Sequence, residues 1–343
     1  MQVFDSVIIF GGTGFIGTHL TQHLLRSNLA REITLVDILP PREAPYASLL
    51  REGIAKGTVR FVHMDVRKPI CDEALPPSAD LIVNLAAILR EPGHRPEEYY
   101  ETNVTGGQNV VDFASRIGCN QFVFTSSISP YGPTEEMKDE TSLPVPETNY
   151  GCSKLVAEKI HLGWLAGGAN RKLLILRPGV VYGPGEDGNL TRLIRSLVRG
   201  YFIYVGNRQT RKAGGYVKEL CHVFLFGLEH MEQTGKRFLL LNFSVNPVPT
   251  MEEFVTAIRE VGGVRRMGPF NIPRAVLLGI SYPIAALGGI FGIKTPVHPV
   301  RVRKLFRSTS VDPKALRDLH YTWRYTLASS FEDWKREAPD DFS

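Results

Sequence analysis

Cysteine is scarce in this 343-residue chain: there are 4, and Cys71, Cys119, Cys152 and Cys221 form no Cys-x-x-Cys pair and no spaced set with histidine. A disulfide framework and a zinc site are therefore not expected, and the thiols suit a reducing cytoplasm. Charge of one sign is not in excess either. Against 40 Lys and Arg stand 35 Asp and Glu, a net +5 with no basic block outside the C-terminal third, so nucleic acid is not an expected partner. No internal repeat is present. The first strand-like segment begins almost at once, with Asp5 where a secretory leader would be basic, so no signal peptide is expected. Unbroken apolar runs are missing too. Residues 275–293 are 19 uncharged residues, long enough for the ~30 Å core of a bilayer, but Pro283 and four glycines interrupt them and Arg274 stands at their start. A full membrane span is not expected.

Glycine, by contrast, is placed with a pattern. Residues 7–17 read Val-Ile-Ile-Phe-Gly-Gly-Thr-Gly-Phe-Ile-Gly, a buried-type strand running into a helix through Gly11, Gly14 and Gly17. In such a frame one glycine makes the turn, one lets a diphosphate reach backbone N–H groups, and one allows close packing of helix on strand. Phe15 and Ile16 open the amphipathic helix that Leu20 and Leu24 continue. A second apolar strand ends at Asp37, twenty residues after Gly17, where a carboxylate would hold the ribose hydroxyls of NAD. Arg42 nearby is the one feature in favour of NADP.

Further strands are expected over 59–66, 79–87 and 120–127, separated by helical patterns that include one long helix over 96–118. Strands alternating with helices imply right-handed crossovers and a parallel sheet. Asp65 and Val66 would then lie near the adenine, and Leu85, Ala86 and Ala87 would flank the ribose and diphosphate, although small residues there also suit plain packing. Downstream, Tyr150 and Lys154 are four apart and share a face if helical. Alone that pair is an ordinary solvated surface, but here it follows Ser126 and Ser127 in a chain that carries a dinucleotide fingerprint.

Taken together these motifs resemble the extended short-chain dehydrogenase/reductase family, in its branch of NAD-dependent sugar epimerases and dehydratases. The resemblance also draws on Asn84-Leu-Ala-Ala, Glu101-Thr-Asn103, the Tyr-Gly at 131–132, Leu176-Arg-Pro178, Tyr216-Val-Lys-Glu and Asp312-Pro-Lys-Ala, and so covers nearly the whole chain. It implies an α/β fold, a Rossmann-type doubly wound parallel sheet over 1–178 to which parts of 205–245 return, with a smaller substrate lobe over 179–343. It implies NAD as cofactor, with Asn103, Tyr150, Lys154 and Pro178 among its contacts, and a homodimer formed through helices near 96–118 and 150–168.

The chemistry follows from the residue types. A free tyrosine has a pKa of about 10 and is a poor base at neutral pH, whereas a nearby ammonium and an oxidised nicotinamide stabilise the phenolate. Tyr150 is the expected acid/base and Lys154 its electrostatic partner. In the family pattern the active hydroxyl stands five residues before the glycine of Tyr-Gly, which selects Ser127 over Ser126. Dehydratases of the family carry Asp-Glu directly after that hydroxyl; this chain has Ile128-Ser129, which leaves epimerisation or net dehydrogenation. A non-catalytic NAD-binding scaffold is the third reading, and an intact Ser/Tyr/Lys set argues against it.

By the same resemblance, Asn189 and Leu190 at a helix start, Lys212 in the place of a common arginine, and Arg301 or Arg303 would hold the diphosphate of a sugar substrate. Gly214 and Gly215 replace bulkier residues, which would widen the pocket. Lys294, Arg301, Arg303, Lys304 and Arg307 follow the apolar stretch with no acid between them. Such a cluster suits peripheral contact of 275–307 with the inner face of a membrane, each base near an anionic surface contributing roughly 1 kcal/mol; a lobe helix or a dimer interface is the alternative. This C-terminal third looks like that of bacterial epimerases for polyprenyl-diphosphate-linked N-acetylhexosamine and of sterol dehydrogenases. Thr250-x-x-Glu253 reads as a capping box, and Asp312-Pro313 as an N-cap with proline at the first helical position.

Overall fold

The computed structural model describes residues 3–90, 93–202, 204–205, 207–264, 271–272, 282 and 308–343. Its centre is a seven-stranded parallel sheet built from β1 (Phe4–Phe10), β2 (Ala30–Asp37), β3 (Val59–His63), β4 (Leu81–Asn84), β5 (Gln121–Thr125), β7 (Lys172–Pro178) and β11 (Phe238–Phe243). The spatial order is β11-β7-β5-β4-β1-β2-β3, so the order reverses between β1 and β4. In open α/β sheets ligands bind at that reversal, beyond the carboxyl ends of the strands.

The central strands of the sheet are apolar on both sides and helices cover both faces, as suits a parallel sheet. Val7 and Ile9 of β1 pack with Leu20 and Leu24 of α1 (Phe15–Arg26), Leu50 of α2 (Ser48–Ala55) and Leu220 of α7 (Val217–Thr234). Ile8 and Phe10 pack on the other face with Val110 and Phe113 of α4 (Gly106–Arg116) and with Ala157 and Trp164 of α5 (Asn149–Ala166). The long helix expected over 96–118 is divided: α3 (Pro96–Tyr100), a π-helical turn (Glu101–Thr105) with Asn103 at its centre, then α4. Such single wide turns recur at functional sites. The chain packs closely there, since a Cβ on Gly106 would lie 2.8 Å from Cγ2 of Val66.

Around the sheet lie three short pairs: β6 (Thr134–Lys138) with β13 (Thr309–Val311), β8 (Val180–Tyr182) with β10 (Gly214–Tyr216), and β9 (Tyr204–Val205) with β12 (Asn271–Ile272). Helices α6 (Asn189–Val198), α8 (Met251–Gly262) and α10 (Leu327–Glu337) surround an aromatic cluster in which Tyr182 stacks on Phe331 at 5.2 Å. The Thr250/Glu253 capping box opens α8. Asp312 is not an N-cap: Pro313 holds that place before α9 (Lys314–Asp318), while the Asp312 carboxylate accepts from Arg317 at 2.9 Å. Among the described residues no helix is long and apolar enough to cross a membrane. The apolar stretch 275–293 lies outside the described residues apart from Tyr282, and so does the basic cluster that follows it.

Candidate functional site

The carboxyl ends of β1, β2 and β4 converge on the glycine loop. Gly11 has φ +74°, and a Cβ there would come within 2.6 Å of Ala86 N; a Cβ on Gly17 would lie 2.5 Å from Gly12 O. The loop therefore rests directly on the segment after β4, where Leu85 N donates to Phe10 O (2.8 Å) and Ala86 N to Asn84 Oδ1 (3.2 Å). Gly14 is the N-cap of α1, offers no side chain to the first-turn amides, and is followed by no acid in that turn. Open amides at the positive end of a helix are an anion site. Asp37 ends β2 and accepts from Thr13 N (3.3 Å) and Ile38 N (2.8 Å), which holds a carboxylate over the loop. An open helix start, a cradle that tolerates no Cβ and a carboxylate at the neighbouring strand tip together fit a dinucleotide.

Other predicted contacts are placed less simply. Phe15 and Ile16 pack toward the Tyr182/Tyr216 cluster, so α1 begins against those aromatic residues. The Asp65 carboxylate is clasped by the Arg67 guanidinium, with Nη2 at 2.6 Å, whose hydrogen bonds lower its pKa. Val66 O accepts from Asn109 Nδ2 at 2.8 Å. Asn103 anchors the segment after β4, accepting from Ile88 N (2.9 Å) and donating to Ile88 O (3.1 Å) and to Ser153 Oγ (2.9 Å) on α5. Arg42 is engaged by Asp187 at 2.6 Å.

The residues predicted to act as acid and base lie near the tips of β5 and β7. Thr148 caps α5 by accepting from Gly151 N (3.1 Å), which places Tyr150 in the first turn. Gly151 lets that turn sit against the one at Ser129–Tyr131, since a Cβ there would lie 2.7 Å from Ser129 O. Ser127 Oγ donates to Ser129 Oγ and accepts from Ser129 N, both at 3.1 Å. Ile128 N donates to Pro178 O at 3.1 Å, which joins that loop to the end of β7. Lys154 is buried, 2% exposed; its Nζ donates to Thr125 O at 2.6 Å and stands 4.4 Å from the centroid of Phe124. Burial drives its pKa from 10.5 down to about 7, against an upward pull from Glu158.

Beneath this set lies a buried ion pair that sequence reasoning did not single out. Arg177 of β7 forks onto Glu158 of α5, Nε to Oε1 at 2.8 Å and Nη2 to Oε2 at 2.5 Å, with both side chains about 5% exposed. Ser126 Oγ donates to the same carboxylate at 2.6 Å, so of the two adjacent serines Ser126 is tied inward. A further neighbour, His161, donates from Nδ1 to Ala157 O (2.7 Å) and stacks on Phe124 at 3.9 Å; burial pushes its pKa down to about 3. The signal for these residues was weak, because Glu158 and Arg177 are 19 positions apart and each reads as an ordinary surface charge.

Of the residues predicted to hold the diphosphate, Asn189 and Lys212 lie on different elements. Asn189 opens α6, and its Oδ1 accepts from Arg192 at 2.9 Å, while Leu190 packs toward the aromatic cluster. Lys212 bridges to Thr309 and its N donates to Pro249 O (2.9 Å); burial lowers its pKa to about 8, with Glu135 opposing. Gly214 and Gly215 do not widen a pocket: a Cβ on Gly215 would lie 2.3 Å from Phe243, and one on Gly214 would lie 3.3 Å from Phe254, so packing explains both. Arg301 and Arg303 lie outside the described residues.

Comparison with known proteins agrees with this geometry. A sequence model of the NAD dependent epimerase/dehydratase family matches residues 7–240. An N-acetyl-alpha-D-glucosaminyl-diphospho-ditrans,octacis-undecaprenol 4-epimerase of Escherichia coli O157:H7 is 26% identical over 96% of this chain and 93% of its own length. A 3-beta-hydroxysteroid dehydrogenase of Mycolicibacterium neoaurum is also 26% identical, over 95% of this chain and 89% of its own. Among solved structures, a UDP-glucuronic acid 4-epimerase from Bacillus cereus in complex with NAD superposes with a TM-score of 0.75, at 20% identity over 98% of this chain and 100% of that one.

Proposed function

The chain belongs to the NAD-dependent epimerase/dehydratase family and is an NAD-dependent enzyme; from that premise we propose that it is a sugar 4-epimerase acting on a hexose or N-acetylhexosamine carried on a diphosphate. The observation that carries this reading is the grouping of Ser127, Tyr150 and Lys154 at the tips of β5 and β7, with Ile128-Ser129 where elimination would need a carboxylate pair. In this reading Gly11, Gly14, Gly17 and Asp37 bind NAD at its diphosphate and ribose. When bound, NAD supplies the acceptor and donor of hydride, removal from one face of C4 and return to the other inverting that centre. Tyr150 takes the proton of the C4 hydroxyl and later gives it back, Ser127 donates a hydrogen bond to the developing carbonyl oxygen, and Lys154 stabilises the phenolate. Asn189 and Lys212 would grip the diphosphate, Lys212 as a point charge rather than a fork.

The E. coli relative suggests a polyprenyl-linked substrate, and a UDP-glucose 4-epimerase of Oryza sativa, 26% identical over 98% of this chain, suggests a nucleotide sugar. The test is to incubate purified protein without added cofactor with UDP-N-acetylglucosamine and, separately, with the polyprenyl-diphosphate sugar, reading C4 configuration by NMR. An epimer in either tube supports the reading, and the tube that reacts identifies the carrier. No epimer in either, with steady NADH formation once NAD and hydroxysteroids are supplied, would favour the dehydrogenase reading that the Mycolicibacterium relative suggests. The proposed homodimer would use the outer face of α3 to α5, where Tyr100 and Val156 are exposed, and light scattering showing only monomer would remove it.

A further inference from the structure

The buried pair beneath the acid–base set joins three segments that the reaction needs in register. Glu158 lies one helical turn beyond Lys154 on α5, Arg177 lies on β7, and Ser126 directly follows β5, one residue before Ser127. Arg177 also stands 4.7 Å from the centroid of Tyr131, in the turn after Ser127, and the Tyr131 hydroxyl donates to Asn242 Oδ1 at 2.9 Å. We infer that Glu158 and Arg177 are positioning residues for the acid–base set: their fork fixes α5 against the tips of β5 and β7 and sets the Glu158 carboxylate one helical turn beyond Lys154. This rests on the reading of Tyr150 and Lys154 given above. The groups facing this pair are Glu158 and His161 on α5, Arg177 on β7, Tyr131 in the turn and Tyr99 on α3, whose ring is 6.5 Å from that of Tyr150. His161 is held neutral by burial, and Glu158 is the carboxylate that acts on Lys154. Loss of one proton from the Tyr150–Lys154 pair yields either phenolate beside ammonium or phenol beside free amine, and a carboxylate on the lysine side favours the first.

The test compares holoenzyme variants by two readouts: the pH profile of kcat with whichever sugar substrate reacts, and the phenolate absorbance titration of Tyr150, taken as the difference from Tyr150→Phe. Glu158→Gln is expected to lower the phenolate fraction at pH 8 about threefold and to move the acid limb of kcat down by about one pH unit, with KM unchanged. Because an unpaired buried guanidinium is strongly destabilising, the double variant Glu158→Gln/Arg177→Met, which removes both charges, is measured alongside and is expected to shift in the same direction by less. Arg177→Lys keeps the charge and loses the fork, so kcat should fall about tenfold while the limb stays in place. Wild-type phenolate fraction and pH limb in both Glu158 variants, with only Tm lowered, would overturn the inference. Should Tyr150→Phe itself retain activity, the underlying reading falls instead, which separates the two failures.

Discussion

The two ends of the crevice are built by opposite means. At the dinucleotide end the chain works through absence: Gly11 and Gly17 stand where a Cβ would collide with backbone, and Gly14 leaves a helix start uncapped. At the acid–base end it works through buried charge, with Lys154, Glu158 and Arg177 all under about 5% exposed and held by specific partners. Space and backbone dipoles recognise the diphosphate without an ionisable side chain, and the carboxylate at that end, Asp37, is placed for the ribose. Buried ions set protonation states, and they do so at a cost to stability.

The comparison breaks most sharply with Tyr150→Phe, which should reduce kcat by about 10³-fold or more while NAD binding by calorimetry stays within about twofold of wild type. Gly14→Asp attacks the other end. Its φ of −66° and the nearest neighbour of a Cβ, Gly11 O at 3.2 Å, permit the substitution, and aspartate is a favoured N-cap. NAD affinity should fall on the order of 100-fold through repulsion of the diphosphate, while Tm is equal to or above that of wild type, a stabilisation of about 0.3 kcal/mol. A Tm loss with normal NAD binding would contradict the anion-site reading of this helix start.

Lys154→Met sharpens the contrast in stability. The folded pKa of about 7 lies below the unfolded 10.5, so between these values the unfolded chain binds more protons and stability rises with pH. The penalty is complete below pH 7 and gone above 10.5. The variant should therefore be inactive but more stable than wild type by on the order of a few kcal/mol at pH 6.5, the gap closing by pH 10 in urea unfolding. Smallest is the effect of His23 and His222, whose rings meet at 4.4 Å between α1 and α7 and whose pKa values burial pushes to about 4 and about 3. Both are neutral in the fold, so stability is lost as pH falls from 6.5 toward 4. The double variant His23→Gln/His222→Gln should show a shallower fall of Tm across that window.

Legibility in the sequence followed the same division. Gly11, Gly14, Gly17 and Asp37 were readable because a strand, a turn and a helix of fixed period place them within thirty residues of one another. Tyr150 and Lys154 were readable as a helical i, i+4 pair given meaning by what precedes them. The division of the helix expected over 96–118 was not, because Asn103 bonds to Ile88 and Gly106 packs on Val66, in the segments that follow β4 and β3. Gly214 and Gly215 were misread for the same reason: only the fold brings Phe243 and Phe254 against them.

Local order, then, determined the parallel α/β class, the glycine cradle and the helical pairing of Tyr150 with Lys154, since these depend on periodicity and on residues near in sequence. Only the tertiary structure decided which of two adjacent serines is turned inward, that Arg42 is spent on Asp187, and that Arg177 and Glu158 meet beneath Lys154. Periodicity records which face of an element is buried, whereas the partner of a buried charge is set by how distant elements pack.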